Sequence, residues 1–564
     1  MRLAAVRPSR RSLAGALAAS ALAACSRDPT CTPTIALPAG APFAPSASDC
    51  AAAPAVPAGQ PFTLSGSATF DLVPARYDPV TGAGGLDFAA VAATPIRGAD
   101  VEVRQCASVV ARATTDAAGR WTATFTPQPA GRIWVAVLAR SADPPIQVQD
   151  NVDGGAVWAI GRPLDEAAAA LDVHATHGFD GCAYSVWRSA GPFAVLDAMY
   201  TAARSLLDLP RDVRFDLAPL RVNWSPKNTP ESIGITHYDP TRGEVFVLGA
   251  DGIDTDEYDR EVVVHEWAHY FEDTFSRTDT PGGGHGFGDV LDPRLAFSEG
   301  SSSALAAMLL GDPIYADTYW AASGLQAFGW SVESRSWADD PAPSAFSEMS
   351  VIRALWDLYD SGSNETWDAT ALGIGPIFDT LVGPQRTTPA LTTLASFVAG
   401  LKQQGGVDAG LVDPVLARYG VGPITSEWGD GDEALRAMYT DVAAPSSTPL
   451  QLTASLDGRY AWNEQPQNHY YVFTATEAHA TVSVSSTFDV DLEAYEGGRL
   501  LAVAWGPSGT ETIQDLTGTP GFDTIPGRVY VVVLTGWGGV SSGQRNVASY
   551  SATVEFSSLP PEGP

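Results

Sequence analysis

The sequence predicts a multidomain chain in which an N-terminal antiparallel β-sandwich and a C-terminal β-sandwich flank a central α+β domain. Residues 61–150 and 449–558 carry short runs of alternating apolar and polar residues separated by turn signals, which is typical of antiparallel strands. Residues 157–445 instead mix helical periodicity with strand-like runs. With 564 residues, 45% of them hydrophobic, the chain is long enough for about three such domains.

The first 24 residues have the features of an export signal. Four arginines among the first eleven residues precede an apolar run, 13–22, that is too short to span a bilayer. The run leads into L-A-A-C at residues 22–25, which resembles the lipobox of bacterial lipoproteins. That resemblance implies cleavage before Cys25 and lipid on its sulfur, and Ser26 implies the outer membrane of the cell envelope. An ordinary secretory signal is the alternative.

Residues 25–60 are rich in Pro, Ala and Ser without a periodic pattern, and they predict a tether between lipid and fold. With Cys25 lipidated, an even number of cysteines remains, consistent with two disulfides in an exported chain. These cysteines are Cys31, Cys50, Cys106 and Cys182. Three pairings are open, and closeness in sequence favours Cys31–Cys50 together with Cys106–Cys182. Free thiols are the alternative.

The charge balance bears on the partners of the protein. The chain has 65 acidic and 33 basic residues, for a net charge of −32. Such a chain is repelled by phosphate backbones and anionic lipid heads, so nucleic acid is not expected as a partner. After the signal we expect no transmembrane helix, because no other apolar run reaches 18 residues. Membrane association is therefore expected only through the N-terminal lipid.

The first sandwich is predicted from four strand-like runs. They are residues 62–70, 101–104, 121–125 and 133–138. The turn at 115–121, T-D-A-A-G-R-W, resembles the transthyretin-like, carboxypeptidase-regulatory-like modules. This resemblance implies a non-catalytic spacer or binding unit.

The central domain begins with a predicted helix at 192–209 and a strand at 219–224. Residues 233–238 and 244–248 flank a turn and predict a β-hairpin. The acidic stretch 251–257 follows. We interpret it as the solvated start of a helix, with favourable charges at its N-terminus. A Ca²⁺ site is the alternative, although the EF-hand spacing is missing.

The sequence H-E-W-A-H at residues 265–269 contains the residues that we expect to bind a metal ion and to catalyse hydrolysis. On a helix, His265 and His269 project from one face, and their imidazoles can hold a single Zn²⁺. Glu266 then lies beside the metal, where it can act as general base for hydrolysis. The alternative is a surface helix whose histidines have no function. We predict one catalytic zinc ion.

A catalytic zinc takes three protein ligands and keeps one open position. A metzincin would have glycine at position 272 and histidine at 275, whereas this chain has Glu272 and Phe275. The third ligand is therefore expected to be a carboxylate. Glu299, in a second helical pattern at 295–306, is favoured. The alternative candidates for the third ligand are Asp273, Asp289 and Asp292.

Together with S-E-G at 298–300, this motif resembles the gluzincin metallopeptidases, of which thermolysin-like and fungalysin-like enzymes are the nearest analogues. Residues 347–357 are similar to a helix of the fungalysin-like enzymes, and the H-E-W-x-H-Y signature is similar to a group of bacterial lipoproteins. Ser303 departs from the pattern, since thermolysin-like enzymes carry an acid there that supports one histidine. Asp273 or Glu348 would have to replace it.

The gluzincin resemblance implies a zincin-like catalytic domain at 157–445 that hydrolyses peptide bonds, with Glu266 moving the proton. It also implies an edge strand that aligns the substrate, for which 244–248 is the candidate. A Tyr or His normally stabilises the oxyanion. Candidates are His285, Tyr238, Tyr315 and Tyr319, and we assign His285, in the glycine-rich loop 280–289, to catalysis. These glycines do not follow a strand, which excludes a nucleotide-binding loop.

The C-terminal domain is predicted from strand runs at 470–474, 480–484, 490–495 and 529–533. Their order is similar to that of bacterial pre-peptidase C-terminal domains. We therefore predict a zinc-dependent peptidase acting on a peptide or protein substrate. Two alternatives are a surface binding lipoprotein that has lost activity, indicated by Ser303, and a zinc hydrolase acting on a non-peptide bond of the cell envelope.

Overall fold

A computed structural model describes residues 46–165, 168–181, 183–184, 187–211, 218–321, 324–333, 340–360, 370–443, 446–453, 465–486, 489–536 and 549–557. The predicted signal and Cys25, Cys31 and Cys182 lie outside these residues. The described chain divides into a first unit, residues 46–270 with 305–333, and a second unit, residues 271–304 with 340–557. The division runs through two continuous helices, Arg260–Phe275 and Pro293–Leu310.

The helices of the first unit are α1 (Ala47–Ala51), α2 (Gly191–Leu207), α3 (Pro230–Ile233), a 3₁₀ turn (Asp256–Tyr258) and most of α4 (Arg260–Phe275). Its strands are β1 (Phe62–Leu72), β2 (Ala75–Asp78), β3 (Ala83–Leu86), β4 (Ala92–Pro95), β5 (Ala99–Gln105), β6 (Ser108–Thr114), β7 (Arg120–Phe125), β8 (Ile133–Ala142), β9 (Pro145–Asp150), β10 (Ala156–Val157), β11 (Ala159–Pro163), β12 (Val173–Ala175), β13 (Leu220–Trp224), β14 (His237–Asp239), β15 (Glu244–Val247), β16 (Ile314–Ala321) and β17 (Gly324–Ser331).

A nine-stranded sheet is the largest element of the first unit. Its strand order is β14-β15-β13-β9-β8-β5-β6, with β10 added to β9 and β11 added to β8. Strand β13 pairs in parallel with β9, so that Val222 lies opposite Val148. The predicted boundary between the first sandwich and the central domain, at 150–157, therefore does not separate two sheets. A four-stranded sheet joins β12, β1 and β4, with β7 on β1.

The strands predicted for residues 62–138 are confirmed, as are the helix at 192–209 and the hairpin of β14 and β15. The structure of the turn before β7 explains why the motif T-D-A-A-G-R-W at 115–121 contains Asp and Gly. The Asp116 carboxylate accepts hydrogen bonds from the backbone N–H groups of Ala118 and Arg120, both at 2.8 Å. Gly119 has a φ of 73°, and a Cβ there would lie 2.4 Å from the carbonyl oxygen of Ala68.

The disulfide pairing differs from the sequence prediction. Cys50 is bonded to Cys106, with 4.7 Å between the Cα atoms, so both favoured pairs were wrong. Helix α1 lies in the stretch predicted as a tether, and it is held in place because the backbone N–H of Gly131 donates to Ala52 at 2.8 Å. This contact brings Cys50 to the turn between β5 and β6. Closeness in sequence therefore did not predict the partner of Cys50.

We expect that replacing both Cys50 and Cys106 by alanine lowers the free energy of unfolding by about 2–4 kcal/mol, because the unfolded chain regains the freedom of a long loop. The loop spans a sequence separation of 56 residues. Denaturant unfolding of the oxidised wild type and the double variant measures this difference. A peptide map in which Cys50 is joined to Cys31 would contradict the pairing.

The second unit holds the rest of α4 and most of α5 (Pro293–Leu310). Its other helices are α6 (Glu348–Tyr359), α7 (Ile374–Val382), α8 (Pro384–Thr387), α9 (Leu394–Leu401), α10 (Ala409–Arg418) and α11 (Glu433–Ala437). Its strands are β18 (Tyr439–Asp441), β19 (Ser446–Thr453), β20 (Asn468–Thr474), β21 (His479–Ser486), β22 (Val490–Glu496), β23 (Arg499–Ala504), β24 (Thr510–Thr512), β25 (Gln514–Asp515), β26 (Phe522–Asp523), β27 (Val529–Gly536) and β28 (Ser549–Ser557). Among the helices that the structure describes, none has the length and apolar character needed to cross a bilayer.

The C-terminal strands form a six-stranded sheet, β18-β20-β27-β22-β23-β25, and a five-stranded sheet, β19-β28-β21-β24 with β26 on β21. All four predicted strands are confirmed. Buried residues of both sheets, such as Leu492 and Val532 of one and Val482 and Val554 of the other, share a single hydrophobic core. Burial of this apolar surface is what holds the two sheets together.

Asp292 connects the C-terminal strands to the start of α5 within the second unit. Its carboxylate accepts hydrogen bonds from the Arg294 backbone N–H at 2.9 Å and from the Tyr470 hydroxyl at 2.8 Å. The Arg294 guanidinium completes a buried ion pair with it at 3.0 Å. This network satisfies one of the orphan N–H groups at the start of α5 and ties the start of the helix to β20.

Candidate metal centre

The two histidines of the H-E-x-x-H motif lie on one face of α4, as predicted. Their Nε2 atoms are 3.0 Å apart, and the rings are nearly perpendicular, at 85°. Two nitrogens bound tetrahedrally to one zinc at about 2.0–2.1 Å are separated by roughly 3.3 Å. The spacing of His265 and His269 therefore fits two ligands of one ion.

Glu266 lies beside the two imidazoles and is largely buried, with 8% of its surface exposed. Its Oε2 accepts a hydrogen bond from the backbone N–H of Tyr238 at 2.7 Å. Tyr238 belongs to β14, so a strand and a helix of the same unit fix this carboxylate. This contact fixes the direction in which the carboxylate faces.

Helix α5 is fixed against the end of α4 by a buried hydrogen bond within the second unit. The Ser298 hydroxyl donates to Glu272 Oε2 at 2.6 Å. Glu272 lies three residues after His269 on the same continuous helix. Glu299 is the neighbour of Ser298, so this contact holds the part of α5 that carries Glu299 against the end of α4.

Glu299 belongs to the same group of possible metal ligands as the two histidines. One donor atom from each of His265, His269 and Glu299 lies within 4.8 Å of the other two. Among the described residues, the other three acids left open by the sequence, Asp273, Asp289 and Asp292, are not part of this group, and Asp292 is engaged at the start of α5. Ser303, where the resemblance calls for an acid, is buried on α5.

The close packing of α6 on α5 explains Gly300, the glycine of the S-E-G sequence. A Cβ at this position would lie 2.6 Å from Cβ of Val351 and 2.9 Å from the carbonyl oxygen of Glu348, so the missing side chain lets α6 pack closely on α5. No role for this glycine was predicted from the sequence. The signal for close helix packing was a glycine inside a helical pattern, next to the predicted ligand Glu299.

Of the four residues considered for the oxyanion, His285 has its ring next to Glu299, and Tyr238 reaches Glu266 through its backbone N–H. The Nε2 atom of His285 lies 3.6 Å from Glu299 Oε2. The Tyr315 ring is stacked on Trp330 with centroids 3.9 Å apart, and burial, followed by the charges of nearby carboxylates, raises its pKa well above the ordinary value. Tyr319 is 39% exposed.

The edge strand differs from the prediction, which named residues 244–248. Strand β15 is paired on both sides, with β14 and with β13, so in the described residues β14 is the outer strand at this end of the nine-stranded sheet. The sequence identified the hairpin correctly but could not show which of its strands finds a further partner. The contact between Tyr238 and Glu266 places β14 next to α4.

The acidic stretch before α4 is not the solvated helix start that we predicted. Asp256 and Glu257 are buried in the 3₁₀ turn, and Glu257 pairs with Arg188 at 3.0 Å. Burial raises the pKa of Asp254 to about 8. Oxygens of four aspartates converge here: Asp254, Asp256, Asp259 and Asp317.

A family model described as the Mycolysin C-terminal domain matches residues 212–409, the stretch that holds His265, His269, His285 and Glu299. The match associates this stretch with a secreted metallopeptidase. No curated protein matches the chain.

Two solved structures resemble parts of the chain weakly. The pre-peptidase C-terminal domain of a collagenase from Bacillus anthracis is 9% identical, over 21% of this chain and 93% of that chain, with a TM-score of 0.15. PliG of Salmonella Typhimurium, a periplasmic inhibitor of g-type lysozyme, is 13% identical over 21% of this chain and 97% of that chain, with a TM-score of 0.12. Neither score bears on function.

We expect the Gly300→Ala substitution to lower the free energy of unfolding by about 1–3 kcal/mol, because the new methyl group forces α5 and α6 apart. Chemical denaturation measures the change. Gly405→Ala is the matched control, since a Cβ there meets nothing within 4 Å, and it should leave stability nearly unchanged. Equal stability of the two variants would show that the close contact at Gly300 does not restrain α5.

Proposed function

We propose that the chain is a zinc-dependent peptidase with one catalytic metal ion. The observation that carries this proposal is the convergence of donor atoms from His265, His269 and Glu299 within 4.8 Å, next to the buried carboxylate of Glu266. The family match over residues 212–409 supports it, because that family is associated with a secreted metallopeptidase.

The donor set fits zinc. Two imidazole nitrogens and one carboxylate oxygen form the ligand class of many catalytic zinc sites, which leave a fourth position open. The Nε2 atoms of His265 and His269 and an oxygen of Glu299 would hold the ion. Zinc bound there supplies a Lewis acid that polarises a carbonyl group and makes water more acidic.

Glu266 moves the proton. Its carboxylate accepts a proton from the attacking water as the new C–O bond forms, and it donates that proton to the amine as the C–N bond breaks. The backbone N–H of Tyr238 holds Oε2 in place at 2.7 Å, so the carboxylate need not reorganise during the reaction.

We place the substrate backbone along β14. An extended peptide can add a strand to an exposed sheet edge through main-chain hydrogen bonds. Because Tyr238 of β14 touches Glu266, a peptide on this edge would bring a carbonyl group to the site. The substrate class that fits is therefore an extended peptide or an unfolded stretch of a protein.

The cellular setting is part of the proposal. The lipobox-like sequence before Cys25 supports a lipid anchor, which would hold the enzyme at the cell envelope. The net charge of −32 argues against a role on nucleic acid.

We expect Glu266→Gln to lower kcat/KM by about 100-fold or more, because the amide cannot accept the proton. Bound zinc should stay at one ion per chain, since Glu266 is not a proposed ligand. Cleavage of a broad peptide library and metal analysis measure the two effects. Glu231→Gln, at an exposed glutamate of α3, is the matched control and should behave as wild type.

The same measurements separate the alternatives. A Glu266→Gln variant as active as wild type would refute the proposed base. Zinc without any peptide cleavage would point to a non-peptide bond of the cell envelope, and a wild type without zinc would point to a binding protein.

We propose that His285 stabilises the negative charge that develops on the substrate carbonyl oxygen, since its ring reaches the oxygen of Glu299. His285→Ala should lower kcat by about 100-fold at saturating zinc, the usual cost of losing one such donor. Steady-state kinetics and a zinc titration measure kcat and zinc affinity separately. A weaker zinc affinity with unchanged kcat would make His285 a positioning residue of Glu299 instead.

A further inference from the structure

We propose that four aspartates at the start of α4 form a second metal site, which binds one calcium ion. One oxygen from each of Asp254, Asp256, Asp259 and Asp317 lies within 4.8 Å of the others. Two oxygens on opposite sides of a Ca²⁺ ion, each at about 2.3–2.6 Å, are about 5 Å apart. The spread of the cluster therefore suits a single ion. All four residues belong to the first unit.

The cluster contains buried oxygens that lack a hydrogen-bond partner. Asp256 is 3% exposed, and Asp259 is fully buried. One oxygen of Asp256 accepts from the Thr236 hydroxyl, whereas the other oxygen, Oδ1, is buried without a partner, as is Oδ1 of Asp254. Proteins keep buried charges where these are paired or bind a metal. The unpartnered oxygens therefore point to a cation.

The chain does not supply that cation. In the part of the chain that the structure describes, none of the four aspartates takes part in a salt bridge. Arg188 pairs with Glu257 at 3.0 Å, and Arg260 pairs with Asp197 at 3.6 Å. These two arginines are thus paired with acids other than the four aspartates. A cation from outside the chain would therefore supply the compensating charge.

The chemistry of the site selects a hard divalent cation. All four side chains offer carboxylate oxygens, which Ca²⁺ prefers and which it binds with flexible geometry. Mg²⁺ requires near-ideal octahedral geometry at shorter distances and keeps several waters. The backbone N–H and hydroxyl of Thr318 donate to the Asp259 carboxylate at 2.7 and 2.9 Å, so this ligand is already oriented.

The ion would fix the start of the motif helix. The Asp259 carbonyl accepts from the Val263 backbone N–H at 3.0 Å in the first turn of α4. Asp317 lies on β16, and the backbone of β16 meets the acidic stretch where Trp320 donates to Ile253 at 2.9 Å. Calcium would therefore tie α4 to β16. This role is structural and does not depend on peptidase activity.

The test uses the full chain, stripped of metal with EDTA and reloaded with one equivalent of zinc. CaCl₂ should raise the midpoint of thermal unfolding by several degrees in a saturable manner, and MgCl₂ at the same concentration should raise it much less. Tb³⁺ should bind the wild type with emission sensitised by the nearby Tyr319 and Trp320, and Ca²⁺ should displace it.

Variants assign the effect to the cluster. Asp256→Asn and Asp317→Asn should lose the Ca²⁺-dependent rise, whereas Asp153→Asn, the same change at an exposed position of the first unit, should keep it. Glu266→Gln should also keep it, which separates this proposal from the peptidase. A wild type with neither a Ca²⁺-dependent midpoint nor Tb³⁺ emission would overturn the site, as would an unchanged Ca²⁺ response in Asp256→Asn.

Discussion

The hydrogen bond between Ser298 and Glu272, 2.6 Å long and buried, fixes α5 against the end of α4. The proposed centre depends on it, because His265 and His269 sit on one helix and Glu299 on the other. A catalytic metal tolerates little error in ligand position, so the support around the ligands matters as much as the ligands themselves. Gly300 contributes by letting α6 pack closely behind Glu299.

The local features of the site could be predicted from sequence. A helix has a fixed period, so H-E-x-x-H implies two imidazoles on one face, and the structure has their Nε2 atoms 3.0 Å apart. Glu299 was predicted as the third ligand because the spacing excluded the metzincin ligand and a second helix offered an acid. The strands of both β-rich regions were also visible, since alternation along a strand is a local property.

Long-range pairing was not visible in the sequence. Strand β13 joins β9 across some seventy residues, and no local pattern encodes that choice, so a domain boundary was predicted inside one sheet. The partner of Cys50 depends on where α1 docks. The acidic stretch before α4 was predicted to be solvated because charged residues usually are. Its burial depends on β16, which carries Asp317 and lies more than fifty residues further along the chain.

The buried aspartates and the zinc motif share α4. A calcium ion at Asp259 would stabilise the first turn of this helix, and the zinc ligands His265 and His269 follow within the next three turns. Net negative charge adds to the need for cations, since the chain carries −32 overall. The export proposed above would bring the chain to compartments where calcium is abundant and sites with weak affinity suffice.

The most direct test of the account is the zinc K-edge X-ray absorption spectrum of the purified full chain. We expect one zinc ion with nitrogen and oxygen neighbours at about 2.0–2.1 Å and with the multiple-scattering signature of two imidazoles. We also expect Glu299→Gln to alter this shell. A protein that binds no zinc, or a spectrum showing sulfur ligands or a single imidazole, would contradict it.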